Sequence, residues 1–83
     1  MDHHNRQFWK CFCKNVQHYR KERGFTQKEL SLKMGVNRTY ICALEQGRGN
    51  PTIRNIMRIS QELKIDPVLL FYPHNNKYQK VND

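Results

Sequence analysis

No apolar run in this 83-residue chain approaches the roughly 18 residues that a membrane-crossing helix needs, so a membrane partner is not expected. The opening stretch, MDHHNRQFWKCFCKN, lacks the apolar segment of a signal peptide. A cytoplasmic location, bacterial or phage-encoded, is therefore expected. Cysteines are few: three, an odd count, with Cys11 and Cys13 too close for an ordinary bridge. Reduced thiols suit a cytosolic setting. Acidic residues are scarce as well. Seven Asp and Glu stand against fifteen Lys and Arg, giving a formal net charge of +8 and a pI near 9.8. Such a balance suits nucleic acid or an anionic membrane surface, and it is also compatible with a merely soluble basic protein.

Catalytic patterns are missing. The four His are scattered, no paired carboxylates sit on one helix face at catalytic spacing, and no Ser–His–Asp set is suggested. An enzyme is not expected, and no cofactor is implied. Cys11 and Cys13, with His3 and His4 upstream, raise the question of a metal. Cys-x-Cys on a helix points its thiols to different faces and no second Cys pair follows, so no metal site is expected. The plainer reading is that one thiol packs as a small hydrophobe and the other faces out. Strand alternation, internal repeats and low-complexity segments are also lacking.

What is present is helical periodicity punctuated by caps. Helix 1 is expected from about Arg6 to Glu22, with Phe8, Phe12, Val16 and Tyr19 as its apolar stripe and Gly24 as its stop. Thr26 and Glu29 form a capping box for helix 2, with Phe25 placed to staple against Leu30. Leu30 and Met34 face the core, Gly35 turns the chain, and Val36 is buried in the turn. Asn37 caps helix 3, which runs to about Gln46 with Ile41 and Leu44 inward, and Gly47 stops it. After the loop Arg48-Gly49-Asn50-Pro51, Thr52 caps helix 4, whose inner stripe is Ile53, Ile56, Ile59, Ser60 and Leu63. Asp66 caps a fifth helix that carries Pro67 at its first position and the cluster Val68-Leu69-Leu70-Phe71, and Pro73 ends it. The fold class is thus all-α: a compact bundle of five short helices around a central helix-turn-helix, with a long N-terminal helix. Residues 1–13 form an N-terminal extension continuing into helix 1, residues 14–72 the domain, and residues 73–83 a polar tail, of which residues 74–83 are expected to be frayed or disordered.

Residues 26 to 47, TQKELSLKMGVNRTYICALEQG, combine a capped helix, a glycine turn and a second short helix with polar groups at its free end. That is the physical requirement for reading a DNA major groove. The pattern Arg20, Gly24, Thr26-Gln27-x-Glu29-Leu30, Gly35-Val36, Ile41, Leu44-Glu45-x-Gly47, Asn50-Pro51 and Leu63 resembles the Cro and lambda-repressor type of helix-turn-helix, the XRE family, over roughly residues 14 to 71. Within it, Asn37-Arg38-Thr39-Tyr40-Ile41, Glu45 and Asn50-Pro51-Thr52-Ile53 are most similar to the controller proteins of restriction–modification systems. One departure is Cys42-Ala43, where controllers often carry Ser-Gly.

Roles follow from chemistry at those positions. Arg38 can bond guanine O6 and N7 together, Thr39 can pack on a thymine methyl or bond a base edge, and Ala43 can line the groove floor. Tyr40 can reach a phosphate or an adjacent base through its hydroxyl. Gln27, at the start of helix 2, can meet a phosphate, and Lys28, Asn37, Arg48, Asn50 and Arg54 are further phosphate candidates. The resemblance implies a structural salt bridge between Arg20 and Glu45. It also implies a homodimer on a palindromic double-stranded DNA operator, autoregulation, and RNA polymerase as a further partner at an activated promoter. A core that 37% hydrophobic residues must supply leaves a small domain often stabilised by dimerising. Ile65, Leu69, Leu70 and Phe71 are the candidate interface, with Phe8, Trp9 and Phe12 as the alternative surface. A phage-type repressor or a stand-alone regulator fits the same fold. An antitoxin is the alternative of another class, and the aromatics, placed mostly as core, argue against RNA stacking.

Overall fold

A computed structural model describes residues 3–73; the expectations for residues 1–2, for the His3 and His4 side chains and for the tail 74–83 lie outside the described residues. Four α-helices follow one another: α1 (His3–Glu22), α2 (Gln27–Met34), α3 (Arg38–Glu45) and α4 (Ile53–Leu63). The fifth element is not an α-helix. Pro67–Phe71 forms a 3-10 turn, with the Leu69 N–H bonded to the Asp66 carbonyl at 2.9 Å. Two prolines bracket only five residues between them, too few to propagate an α-helix, and the tighter i→i+3 turn is the form short pieces take.

Local chemistry accounts for the helix ends. Thr26 accepts from the Glu29 N–H at 3.0 Å while Glu29 Oε1 accepts from the Thr26 N–H at 2.8 Å, a complete capping box. Asn37, Thr52 and Asp66 cap the following elements through Thr39, Asn55 and Val68. Gly35 takes φ +70° at the end of α2, a conformation any side chain would strain, and this makes the α2–α3 turn. Lys64 holds the same left-handed conformation after α4 at φ 57°, without being glycine. Arg23 of the α1–α2 junction donates to the Leu63 carbonyl at 2.7 Å, so a long-range bond fixes the end where local preference does not.

The core is Phe12, Cys13 and Val16 from α1, Leu30 and Met34 from α2, Ile41 and Leu44 from α3, Ile59 and Leu63 from α4, and Leu70 from the turn. Several sequence expectations are corrected here. Ile53, read as part of the inner stripe, is 75% exposed, because it is the first residue of α4 and the helix begins beyond the elements it packs on. Phe8 is largely exposed and stacks on Phe71 with ring centroids 5.3 Å apart instead of entering the core. Leu70, read as interface, is fully buried. Of the thiols, Cys13 is buried and Cys11 half-buried, and burial pushes the Cys13 thiol up to about 11, with the Gly47 backbone pulling the other way.

Asn15 is polar, yet it lies buried on α1 among these side chains. Its Nδ2 donates toward the carbonyls of Leu69 at 3.3 Å, Leu70 at 3.0 Å and Tyr72 at 2.6 Å. A buried amide is stable only when partnered, and these carbonyls are the free acceptors of a turn too short to satisfy them itself. Asn15 therefore anchors the final turn to α1. No helix in the described residues is long and apolar enough to cross a membrane.

Candidate nucleic-acid interface

The first turn of α3 is the free end of the helix-turn-helix. Asn37 Oδ1 accepts the Thr39 N–H at 2.9 Å, so the Asn37 side chain is occupied in capping. Arg38 and Thr39 follow, both exposed. One turn on, Cys42 and Ala43 continue the same face half-buried, and Gln46 Nε2 approaches Cys42 Sγ at 3.5 Å. Arg38, Thr39, Cys42, Ala43 and Gln46 thus lie along one stripe, with Ile41 and Leu44 on the opposite, buried side.

Tyr40 is placed differently from the sequence reading. Its ring is half-buried and packs against the core, and its hydroxyl accepts from Asn55 Nδ2 of α4 at 3.0 Å. A phenol that accepts one bond retains its own proton to donate, so any reach to DNA is through that single O–H. The bond also ties α4 to α3 one residue from the exposed Arg54.

Behind α3, Glu45 organises three elements. Arg20 Nε donates to Glu45 Oε2 at 2.7 Å and its terminal nitrogen to Oε1 at 3.0 Å, a bidentate pair. The side chains are only 8% and 1% exposed, so water hardly screens the pair. Arg20 also donates to the Phe25 carbonyl at 2.8 Å. Gln27, read as a phosphate contact, gives an amide hydrogen to Glu45 Oε1 at 3.0 Å. Its second amide hydrogen is left to point elsewhere. One carboxylate therefore locks α1, the start of α2 and the end of α3 together. The Gln27 bond was not legible because its partners are 18 residues apart and both are common surface types.

Lys28, Arg48, Asn50 and Arg54 are exposed around this face. Arg48 is joined by residues that sequence reading did not bring to the site. Trp9 Nε1 donates to the Gly47 carbonyl at 3.1 Å, seating α1 on the end of α3. A cleft there is lined by Arg6, Trp9, Lys10, Gln46, Gly47, Arg48 and Gly49. No group of three or more His, Cys, Asp or Glu is arranged to hold a metal among the described residues. Ile65 and Phe71 are half-buried and Leu69 is exposed; Leu69 and Phe71 lie on the Asn15-anchored turn.

The helix-turn-helix fold is shared with known proteins. A helix-turn-helix family model, HTH_3, matches residues 16–70. An uncharacterised HTH-type transcriptional regulator, y4dJ, from Sinorhizobium fredii is 36% identical over 59 residues, covering 71% of this chain and 77% of that protein. The restriction–modification controller protein C.AhdI from Aeromonas hydrophila superposes with a TM-score of 0.72 at 28% identity, over 76% of this chain and 96% of that one. C.Esp1396I bound to a 19 base pair DNA duplex gives a TM-score of 0.69 at 30% identity, over 77% and 85%.

Proposed function

The chain belongs to the HTH_3 helix-turn-helix family, and from that premise we propose that it is a sequence-specific double-stranded DNA-binding transcriptional regulator. It acts as a homodimer on a palindromic operator and serves as the autoregulating controller of a restriction–modification system. The observation that carries this reading is the α3 stripe: Arg38 and Thr39 stand exposed on the first turn, while Glu45, Arg20 and Gln27 fix the other end of the helix. A recognition helix must present its N-terminal side chains to base edges in a fixed register. The controller role rests on the likeness to C.AhdI and on the Arg38-Thr39-Tyr40 turn. RNA polymerase at the activated promoter is the further partner.

One recognition helix reads too few base pairs to select a genomic site, and two helices about one DNA turn apart double the contacts. Selection of bound duplexes from a random pool is expected to return two inverted half-sites at that spacing. On the selected duplex, Arg38→Ala should cost about 1–3 kcal/mol and relax preference at one base position. Gln27→Ala should weaken binding to all sequences alike. The opposite pattern, with Gln27 setting the sequence, would place the reading helix elsewhere. A nuclease and a methyltransferase encoded beside this chain would support the controller role, and a co-purifying toxin would replace it with an antitoxin.

A further inference from the structure

The cleft at the far end of α3 joins the family module to residues that precede it. Its α1 residues, Arg6, Trp9 and Lys10, precede residue 16, where the family match begins. Three cations line it, Arg6, Lys10 and Arg48, and none of the described residues lining it is a carboxylate. Trp9 forms its apolar wall and is pinned in place by the Gly47 carbonyl. Gln46 belongs to both the cleft and the α3 stripe, so the two surfaces are continuous. Eight residues separate Arg38 from Gln46, about 12 Å along a helix axis. The major groove is about 8.5 Å deep, so a helix that enters it by its first turn carries its last turn out to the level of the phosphates.

We propose that this cleft binds a backbone phosphate of the DNA flanking each half-site, with Arg6 and Lys10 of α1 supplying contacts that the family module lacks. This rests on the DNA-binding reading above. The N-terminal extension is then a third limb of the interface, positioned by Trp9. It adds affinity without adding sequence preference, because a phosphodiester is the same at every step.

The salt dependence of binding tests it. Each phosphate neutralised contributes about 0.9 to the slope of log K against log salt on duplex DNA. The double variant Arg6→Gln and Lys10→Gln should lower that slope by roughly 2 and leave the selected sequence unchanged. Lys14→Gln with Lys21→Gln, a charge-matched pair on the same helix, should lower it far less. Trp9 is the chain's only tryptophan, so its fluorescence reports the cleft in the unaltered protein. Its emission should change with a duplex that extends past the half-sites and not with one trimmed to them. Equal slopes for the two double variants would overturn the proposal, as would a fluorescence change that is the same for both duplexes. Failure of the unaltered chain to bind any duplex would instead overturn the DNA-binding reading itself.

Discussion

Glu45→Ala is expected to destabilise the domain by about 3–5 kcal/mol, because it leaves the Arg20 guanidinium buried without its counter-charge. For a domain of this size each kcal/mol moves the melting temperature by roughly 4–8 °C, so thermal denaturation should show a fall of roughly 12–40 °C. The cost comes from the stranded partner. Arg20 keeps only the Phe25 carbonyl, and Gln27 loses the acceptor for its amide. Arg20→Met combined with Glu45→Leu should recover much of the loss, since apolar replacement of a whole buried pair is often neutral or better. That double variant should still bind DNA poorly, because α3 is no longer registered against α1 and α2. An unchanged melting temperature in Glu45→Ala would remove the pair from its structural role.

Leu69→Asp is expected to give monomers in sedimentation and to reduce affinity for a full palindrome by roughly 10²–10⁴, the usual gain from joining two binding events. Leu69 is 37% exposed, Val68 and Tyr72 near it in the chain are exposed as well, and Phe71 of the same turn stacks on exposed Phe8. A charge there opposes association of an apolar patch with its copy. Only the side chain changes, and the Leu69 carbonyl keeps its bond from Asn15, so stability should move by no more than about 0.5 kcal/mol. Affinity for a single half-site should stay level. A dimer that survives the change would shift the interface to α1, where Phe8 is the exposed aromatic and Phe12 is spent on the core.

The parts of the fold that were legible are those set by neighbours in the chain. Thr26, Asn37, Thr52 and Asp66 cap their elements through partners two or three residues away, and Gly35 makes its turn through its own backbone. Helical stripes gave the inward face but not how far each helix extends past its neighbours. For that reason Phe8 and Ile53, in register with the core, lie at helix starts outside it. Leu70 could not be told from Leu69 by type; the 3-10 geometry turns one in and the other out. In the candidate site, the exposure of Arg38 and Thr39 on the first turn of α3 was readable from their place after a cap. The bonds of Gln27 to Glu45, Tyr40 to Asn55 and Trp9 to Gly47 join residues 15 to 38 apart, and no local pattern announces them.

Asn15 also sets an order of events during synthesis. Its acceptors lie 54 to 57 residues further along the chain, so the turn that carries Leu69 has no anchor until nearly all the described residues have left the ribosome. The helix-turn-helix, closed by Glu45, can assemble earlier on the emerging chain. A nascent chain therefore completes its helix-turn-helix before it acquires the exposed Leu69 surface.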